Sequence, residues 1–208
     1  MTYSLIIGDK HKSSWSMRPW LVLRQFGLPF EEVPIALDRP DTRQRILRHS
    51  AAGRVPILEA DGLVVWESLA IIEFLAERHP DLPIWPATAA ARAEARAISA
   101  EMHAGFPALR EELPFAGAAR LAMPELTAAA LADIERIGDI WRAARAAHRD
   151  QGAFLYGDFS AADAMYAPVA LRFLTYGVAM PVGCRDYVEN LLVLPALADW
   201  LRAAETAG

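Results

Sequence analysis

Hydrophobic and polar positions follow different patterns in the two halves of the chain. Near the start, the apolar run Tyr3 to Ile7 is typical of a strand. Met17, Trp20 and Leu21 then recur at the approximate spacing of an amphipathic helix. The chain therefore begins with a predicted strand and a predicted helix.

A second strand is predicted after this helix, which Gly27 and Pro29 end. Val33, Ile35 and Leu37 occupy alternate positions, the pattern of a strand with one buried face. A strand, a helix and a strand joined this closely form a right-handed parallel crossover.

The next apolar runs predict a hairpin, because they flank the pair Asp61-Gly62, which favours a two-residue turn. A helix with an apolar stripe is predicted from Ser68. The order βαβ followed by ββα resembles the thioredoxin fold. We therefore expect an α/β thioredoxin-like domain over residues 1–80.

The pattern changes at the segment HPDLPIWP, residues 79–86, whose three prolines discourage a continuous helix. We place a linker at residues 81–87. Beyond it the chain is rich in Ala, Leu, Glu and Arg, and apolar residues recur at helical spacing. An all-α helical bundle is the prediction for residues 88–208.

Composition narrows the function classes. The chain has 208 residues and a formal net charge of -5, with basic and acidic residues intermixed. That balance argues against nucleic acid or an anionic membrane as a partner. No apolar run approaches about 18 residues, and no leader pattern opens the chain, so a cytoplasmic protein is expected. The single cysteine, Cys184, and five scattered histidines argue against CxxC motifs and a metal site.

Two residue pairs predict a pocket for a small peptide-like anion. Val55-Pro56 precedes the hairpin, where Val55 can offer its backbone N–H and C=O to a peptide as an added strand does. Ser68 is a candidate N-cap whose helix N-terminus attracts a carboxylate, and Glu67 can accept a hydrogen bond from an ammonium group. Separately, each pair also suits an ordinary edge strand or a capped helix. Together they match the γ-glutamyl end of glutathione.

A third candidate is the serine turn HKSSWSMRPW between the first strand and the first helix. Ser13, Ser14 and Ser16 stand where a helix N-terminus points toward the predicted pocket. One hydroxyl could donate a hydrogen bond to the glutathione sulfur and stabilise the thiolate. Alternatively, the serines only cap the helix.

The segments RVPILEADGLVVWESLAIIEFL and FLYGDFSAADAMYAPV resemble the glutathione-binding segment and the buried-helix capping box of glutathione S-transferases. In the second segment Ser160 and Asp163 form the box, and Phe159 supplies a hydrophobic staple. The resemblance covers essentially the whole chain. It implies a cis proline, glutathione as co-substrate without a metal, an electrophile pocket in the helical domain, and a homodimer.

The serine turn resembles that of the zeta class, which implies Ser13 as the thiolate-stabilising residue and Arg18 as the motif arginine. Spacing like that of the delta and theta classes favours Ser14 instead. Trp15 stands in place of the zeta cysteine. The glutathione-binding residues implied are Ser16, Arg54, Val55, Pro56, Glu67 and Ser68. Trp15, Met102 and Phe106 are weaker candidates for the electrophile pocket, because their pattern is also typical of core.

The leading functional prediction is an enzyme that adds the glutathione thiolate to small electrophiles. A first alternative is cis-trans isomerisation of maleylacetoacetate or maleylpyruvate, which the zeta class performs with an arginine for the substrate carboxylate. Here Thr175 occupies that position, and Arg172, one turn earlier, is expected to pair with an acidic neighbour. A second alternative is a non-catalytic protein that binds glutathione or hydrophobic ligands.

Overall fold

The computed structural model describes residues 2–117 and 119–206. A four-stranded mixed sheet in the order β2-β1-β3-β4 forms the first half. Strand β1 is parallel to β2 and antiparallel to β3, and β3 is antiparallel to β4. The strands are β1 (Tyr3–Ile7), β2 (Phe30–Pro34), β3 (Ile57–Ala60) and β4 (Leu63–Trp66).

Three helices accompany this sheet: α1 (Ser14–Gln25), α2 (Thr42–Leu47) and α3 (Ser68–Arg78). The predicted hairpin is confirmed, with Asp61 at φ 49° and Gly62 at φ 82° between β3 and β4. Two consecutive positive φ angles are typical of the type I′ turn, whose twist matches that of the strands.

Strand β2 lies earlier than predicted. It pairs with β1 from Phe30 to Pro34, whereas the alternating residues ran from Val33 to Leu37. Pro34 has no N–H to donate and stands at the last paired position. Ile35 is buried and donates its N–H to Ile7 at 2.8 Å, so the apolar pattern continues past the strand.

The second half is helical. After Trp66 the described residues contain no β-strand beyond isolated bridges near residues 154–158. The expected fold class, a thioredoxin-like α/β domain followed by an all-α bundle, is confirmed. The linker assigned to residues 81–87 stays a prediction. The helices are α4 (Ala89–Ala104), α5 (Pro107–Glu112), α6 (Ala128–His148), α7 (Ala161–Tyr176), α8 (Arg185–Leu192) and α9 (Pro195–Thr206).

Helix α7 is the central element that supports the first half. Every residue in it except Leu174 is buried, as expected for a helix that is apolar on all sides. Its N-terminus carries the predicted capping box between Ser160 and Asp163. It packs against both α1 and α4. The serine turn and the C-terminal turn of α4 therefore rest on one rigid helix. None of the helices within residues 2–117 and 119–206 is long and apolar enough to cross a membrane.

Candidate functional site

A cavity of about 350 Å³ lies where the two halves meet. Its walls come from the start of α1, the segment before β3, the β4–α3 junction and the end of α4. The lining residues are Trp15, Ala52, Arg54, Val55, Pro56, Trp66, Glu67, His103 and Ala104. Both residue pairs that the sequence singled out, Val55-Pro56 and Glu67-Ser68, thus contribute to one concave site or border it directly.

The Val55-Pro56 peptide bond is cis, as the family resemblance implied. The first paired residue of β3 is Ile57, opposite Ile6 of β1. Val55 therefore lies beyond the β1–β3 ladder while lining the cavity. This placement suits pairing between its backbone and a peptide ligand in the manner of an added strand.

The junction between β4 and α3 differs from the prediction. Glu67, not Ser68, occupies the cap position, with φ 72° and ψ 126°. A non-glycine residue held at positive φ is costly, and such residues cluster at functional sites. Ser68 is the first residue of α3, buried, and its Oγ has no hydrogen-bond partner among the described residues. Its hydroxyl is thus unsatisfied within the described residues, and the first N–H groups of a helix have no partner inside the helix itself.

The three serines of the turn have different surroundings. Ser13 is the N-cap of α1: its Oγ accepts from the Ser16 N–H at 3.2 Å and donates to Ser16 Oγ at 2.7 Å. Ser16 Oγ also accepts from the Gly8 N–H at 3.1 Å. The Ser13 proton is therefore engaged inside the protein. Ser16 is fully buried and its hydroxyl is engaged by Ser13 and Gly8, and its contact with glutathione stays a prediction.

Ser14 has a hydroxyl with no internal acceptor in the described residues. Its Oγ lies 3.5 Å from Arg172 Nη2, which can only donate, so the Ser14 proton is left for another acceptor. Ser14 directly precedes Trp15, which lines the cavity. Of the two serines considered for the thiolate, Ser14 alone has a hydroxyl proton that no other described group accepts.

Trp15 organises the charged residues around the serine turn. Its ring lies 4.2 Å from the Arg18 guanidinium and 4.6 Å from that of Arg110, measured from the ring centroid. The His103 ring meets it edge-on at 5.3 Å. The tryptophan that replaces the zeta cysteine therefore separates the cavity from buried positive charge.

Arg172 overturns one expectation. Instead of pairing with an acidic neighbour, it donates its Nε–H to the Leu113 carbonyl at 2.8 Å and directs Nη2 toward Ser14. Burial, and then the charge of Arg110, lowers its pKa to about 10. The guanidinium thus reaches the serine turn from the buried helix, one turn before Thr175.

Arg18 is the most unusual group at the site. It is fully buried, and none of its three guanidinium nitrogens has a hydrogen-bond partner in the described part of the chain. Burial first, and then the charges of Arg110 and Arg172, lowers its pKa well below the ordinary value. Across residues 2–117 and 119–206, no carboxylate forms an ion pair with any of these three arginines.

His103, one of the five scattered histidines, lines the cavity. Its Nε2 lies 3.5 Å from Glu67 Oε2. Burial, followed by the nearby Arg18, lowers the pKa of the imidazole, while Glu67 acts in the opposite direction. The lowered pKa favours the neutral form of the ring. No pattern in the sequence singled out His103, since it follows Met102 on a different face of α4.

Two of the predicted electrophile-pocket residues belong to the hydrophobic core. Met102 and Phe106 are buried in the main hydrophobic cluster and do not line the cavity. Met102 faces inward on α4, whereas the following residues, His103 and Ala104, face the cavity. The spacing of apolar residues predicted that the end of α4 lies near the pocket. It identified the buried face of the helix and not the face that lines the cavity. Within the described residues, no three His, Cys, Asp or Glu side chains are grouped to hold a metal ion.

Comparison with known proteins defines the class. Residues 12–78 match the family model of the glutathione S-transferase N-terminal domain. A glutathione transferase homolog from Burkholderia BGR1, solved with bound glutathione, superposes over 100% of both chains with a TM-score of 0.74 and 26% identity. A diazinon-metabolizing glutathione S-transferase from the silkworm Bombyx mori superposes with a TM-score of 0.77 at 14% identity, over 99% of this chain and 98% of the other. At this low sequence identity, the similarity to the silkworm enzyme concerns the fold alone.

Residues 12–78 thus match the glutathione S-transferase N-terminal domain, and the chain as a whole has the glutathione transferase fold. The similarity to this family is confirmed. A probable maleylacetoacetate isomerase from Caenorhabditis elegans is 36% identical over 96 residues, or 46% of this chain and 44% of the relative. The maleylacetoacetate isomerase of Rhizobium meliloti is 33% identical over 100 residues, 48% of this chain and 47% of that enzyme. The matches therefore span about half the length of these relatives.

Proposed function

We propose that this protein is a glutathione transferase that adds the glutathione thiolate to small electrophiles. The observation that carries the proposal is the cavity lined by Val55, Pro56 and Glu67, with Ser68, whose hydroxyl has no partner among the described residues, next to Glu67 in the chain. Glutathione supplies the matching groups: a peptide backbone for Val55, an α-carboxylate for Ser68 and the helix N-terminus, and an ammonium group for Glu67.

In this mechanism Ser14 donates its hydroxyl proton in a hydrogen bond to the sulfur and so favours the thiolate. A free thiol with a pKa of about 8.5 is only a few per cent ionised at pH 7. A pKa lowered by about two units raises the thiolate fraction roughly 20-fold, but nucleophilicity falls with a Brønsted slope of about 0.4–0.5. The net gain is a few-fold, so positioning of the electrophile supplies much of the acceleration.

Glutathione-dependent cis-trans isomerisation of a maleyl compound is the second candidate. It is favoured by Arg172, which reaches the serine turn without an acidic partner and so compensates for Thr175. In this reaction the thiolate adds to the cis double bond, the carbon–carbon bond rotates, and elimination returns the thiolate. An arginine beside Ser14 would hold a substrate carboxylate during that rotation. The relatives named maleylacetoacetate isomerase support this candidate.

We further propose a cytoplasmic homodimer. Leu63, Val64 and Trp66 on β4 are all at least 40% exposed, and β4 is an edge strand of the sheet. An exposed apolar edge is a liability unless another surface covers it. A second copy of the chain is the partner that the family resemblance implies.

A panel assay with glutathione tests these functions directly, with aryl halides, organic peroxides and maleyl compounds as acceptors. Conjugation of any acceptor supports the transferase. Trans product from a maleyl compound, with glutathione unchanged at the end, supports the isomerase. If glutathione binds but no acceptor reacts, the non-catalytic alternative replaces both.

A further inference from the structure

The buried Arg18 has a charge but no counter-ion in the part of the chain that the structure describes. A guanidinium removed from water without a carboxylate or a hydrogen-bond acceptor is strongly unfavourable. Two further guanidinium groups, Arg110 and Arg172, act on it and increase that cost. Arg18 is therefore a buried positive centre with which no carboxylate of the described residues pairs.

The position of Arg18 relates this centre to the serine turn. Ser14 and Arg18 are four residues apart in α1, so they lie on the same face of the helix, about 5–6 Å apart at Cβ. Helical side chains lean toward the N-terminus, and the Arg18 guanidinium indeed stacks on Trp15. The positive charge of Arg18 therefore lies close to the N-terminal turn of α1, against the Trp15 ring.

Other titratable groups face this region from each neighbouring helix. Arg110 comes from α5, Arg172 and the hydroxyl of Tyr166 come from α7, and His103 comes from α4. Tyr166 donates to the Ile98 carbonyl at 3.1 Å, and burial raises the pKa of its phenol, so it carries no negative charge at pH 7.

The nearest carboxylates act on other members of the group. Glu67 acts on His103, and Asp133 acts on Arg110. Neither forms an ion pair with Arg18. An anion that binds beside Ser14 would therefore be the missing negative charge.

We propose that Arg18 is a positioning residue: a buried positive charge, reinforced by Arg110 and Arg172, whose counter-ion is the sulfur anion of glutathione bound beside Ser14. Trp15 and the serine turn separate the guanidinium from the sulfur, so it acts through its field and not by contact. The thiol ionises, its proton leaves to solvent, and the anion that remains completes the charge balance. This inference rests on the proposed function.

The test compares the wild-type protein with Arg18→Met in complex with glutathione and without an electrophile. Titration of the bound thiol by the ultraviolet absorbance of its thiolate is the main readout. We expect the thiolate fraction at a fixed pH below the midpoint to fall about tenfold, the effect of a unit charge about 8 Å away at an effective dielectric constant of about 30. Affinity for S-methylglutathione, which has no ionisable thiol, should be unchanged.

Stability provides the second readout and separates this role from a structural one. Replacing a buried unpaired charge by an apolar side chain of similar volume should raise the urea midpoint of the free protein. Arg96→Met is the matched control, because Arg96 also lies over a tryptophan but is exposed and paired with Glu73. It should leave the thiol titration unchanged. Arg18→Gln replaces the methionine variant if the latter does not fold.

Two results would overturn the inference. One is an unchanged thiol titration in the Arg18 variant, whatever happens to its stability. The other, from separate kinetics with an anionic electrophile, is an effect confined to the KM of that electrophile, which would make the substrate the counter-ion. If the wild-type protein does not bind glutathione at all, the proposed function fails first, which is a distinguishable outcome.

Discussion

At the scale of single residues, the adjacent serines Ser13 and Ser14 differ in the hydrogen-bond partners of their hydroxyl groups. Ser13 closes the end of α1, whereas Ser14 has no internal acceptor in the described residues. The sequence could bring both to the turn, since serines before a helix are a strong local signal. It could not choose between them, because the choice depends on Ser16 and Arg172, the latter 158 residues away from Ser14.

Paired alanine variants separate the two roles. Ser14→Ala should lower kcat a few-fold while the Kd for glutathione changes little, because the loss of thiolate is partly offset by the greater nucleophilicity of the more basic thiolate that remains. Ser13→Ala should lower the free energy of unfolding by about 1 kcal/mol through the lost cap. Steady-state kinetics and urea denaturation of both variants check this. A kcat loss confined to Ser13→Ala would return the thiolate role to that residue.

A second prediction concerns the unsatisfied Ser68 hydroxyl. Ser68→Ala should weaken glutathione binding about tenfold, since a hydrogen bond to a carboxylate contributes about 1.5 kcal/mol or more. Stability should change by less than about 0.5 kcal/mol, because no internal bond is lost. Ser99→Ala is the control, since that hydroxyl is equally buried and unpartnered but lies within α4, away from the cavity lining. Equal effects of both variants on the calorimetric Kd would contradict the assignment.

At the scale of elements, local patterns predicted which helices and strands exist better than where they begin. The Asp61-Gly62 turn could be predicted from the sequence because its conformation depends on two adjacent residues. The start of β2 was not, because its pairing with β1 selects Phe30 to Pro34 while the apolar alternation continues beyond. Likewise Ser68 looked like a cap, but the strained Glu67 takes that position.

Helix α7 has a pH-sensitive N-terminus. Asp163 accepts hydrogen bonds from the N–H groups of Leu155 and Ser160 at 3.0 and 2.8 Å, but burial outweighs them and raises the pKa of its carboxyl to about 6. The folded state therefore binds more protons than the unfolded state between about pH 4 and 6. Stability from this group should fall as pH rises through that window, by about 3 kcal/mol in all.

Urea denaturation between pH 4 and 7 tests this prediction against Asp163→Asn. The variant should be less stable near pH 4, because its amide cannot accept both sets of bonds, and it should lack the part of the pH slope due to Asp163. Parallel slopes for the variant and the wild-type protein would show that Asp163 does not titrate in this range.

At the scale of the whole molecule, the site lies between the two halves, and this explains what the sequence could not predict. Val55, Pro56 and Glu67 are close together in the chain, so their pairing was readable across one hairpin. His103, Arg110 and Arg172 join them only through the packing of α4, α5 and α7. The absence of a carboxylate beside Arg18 in the described residues is a property of that packing alone.

The proposed homodimer is also a property of this scale. Leu63→Lys should shift the protein toward monomers in sedimentation or light scattering, because a charge on the apolar edge of β4 opposes association. Leu131→Lys is the control, since Leu131 is similarly exposed but lies on α6. A wild-type protein that is monomeric at micromolar concentration, or equal effects of the two variants, would contradict this interface.

Binding of glutathione is the central claim, and thermal unfolding with increasing glutathione tests it most directly. A ligand that binds only the folded state stabilises it by about 2.7 kcal/mol at 100 times its Kd, so Tm should rise steadily with the logarithm of concentration. The rise should be reduced in Ser68→Ala and retained in Ser99→Ala. An unchanged Tm at millimolar glutathione would contradict the assignment of the cavity.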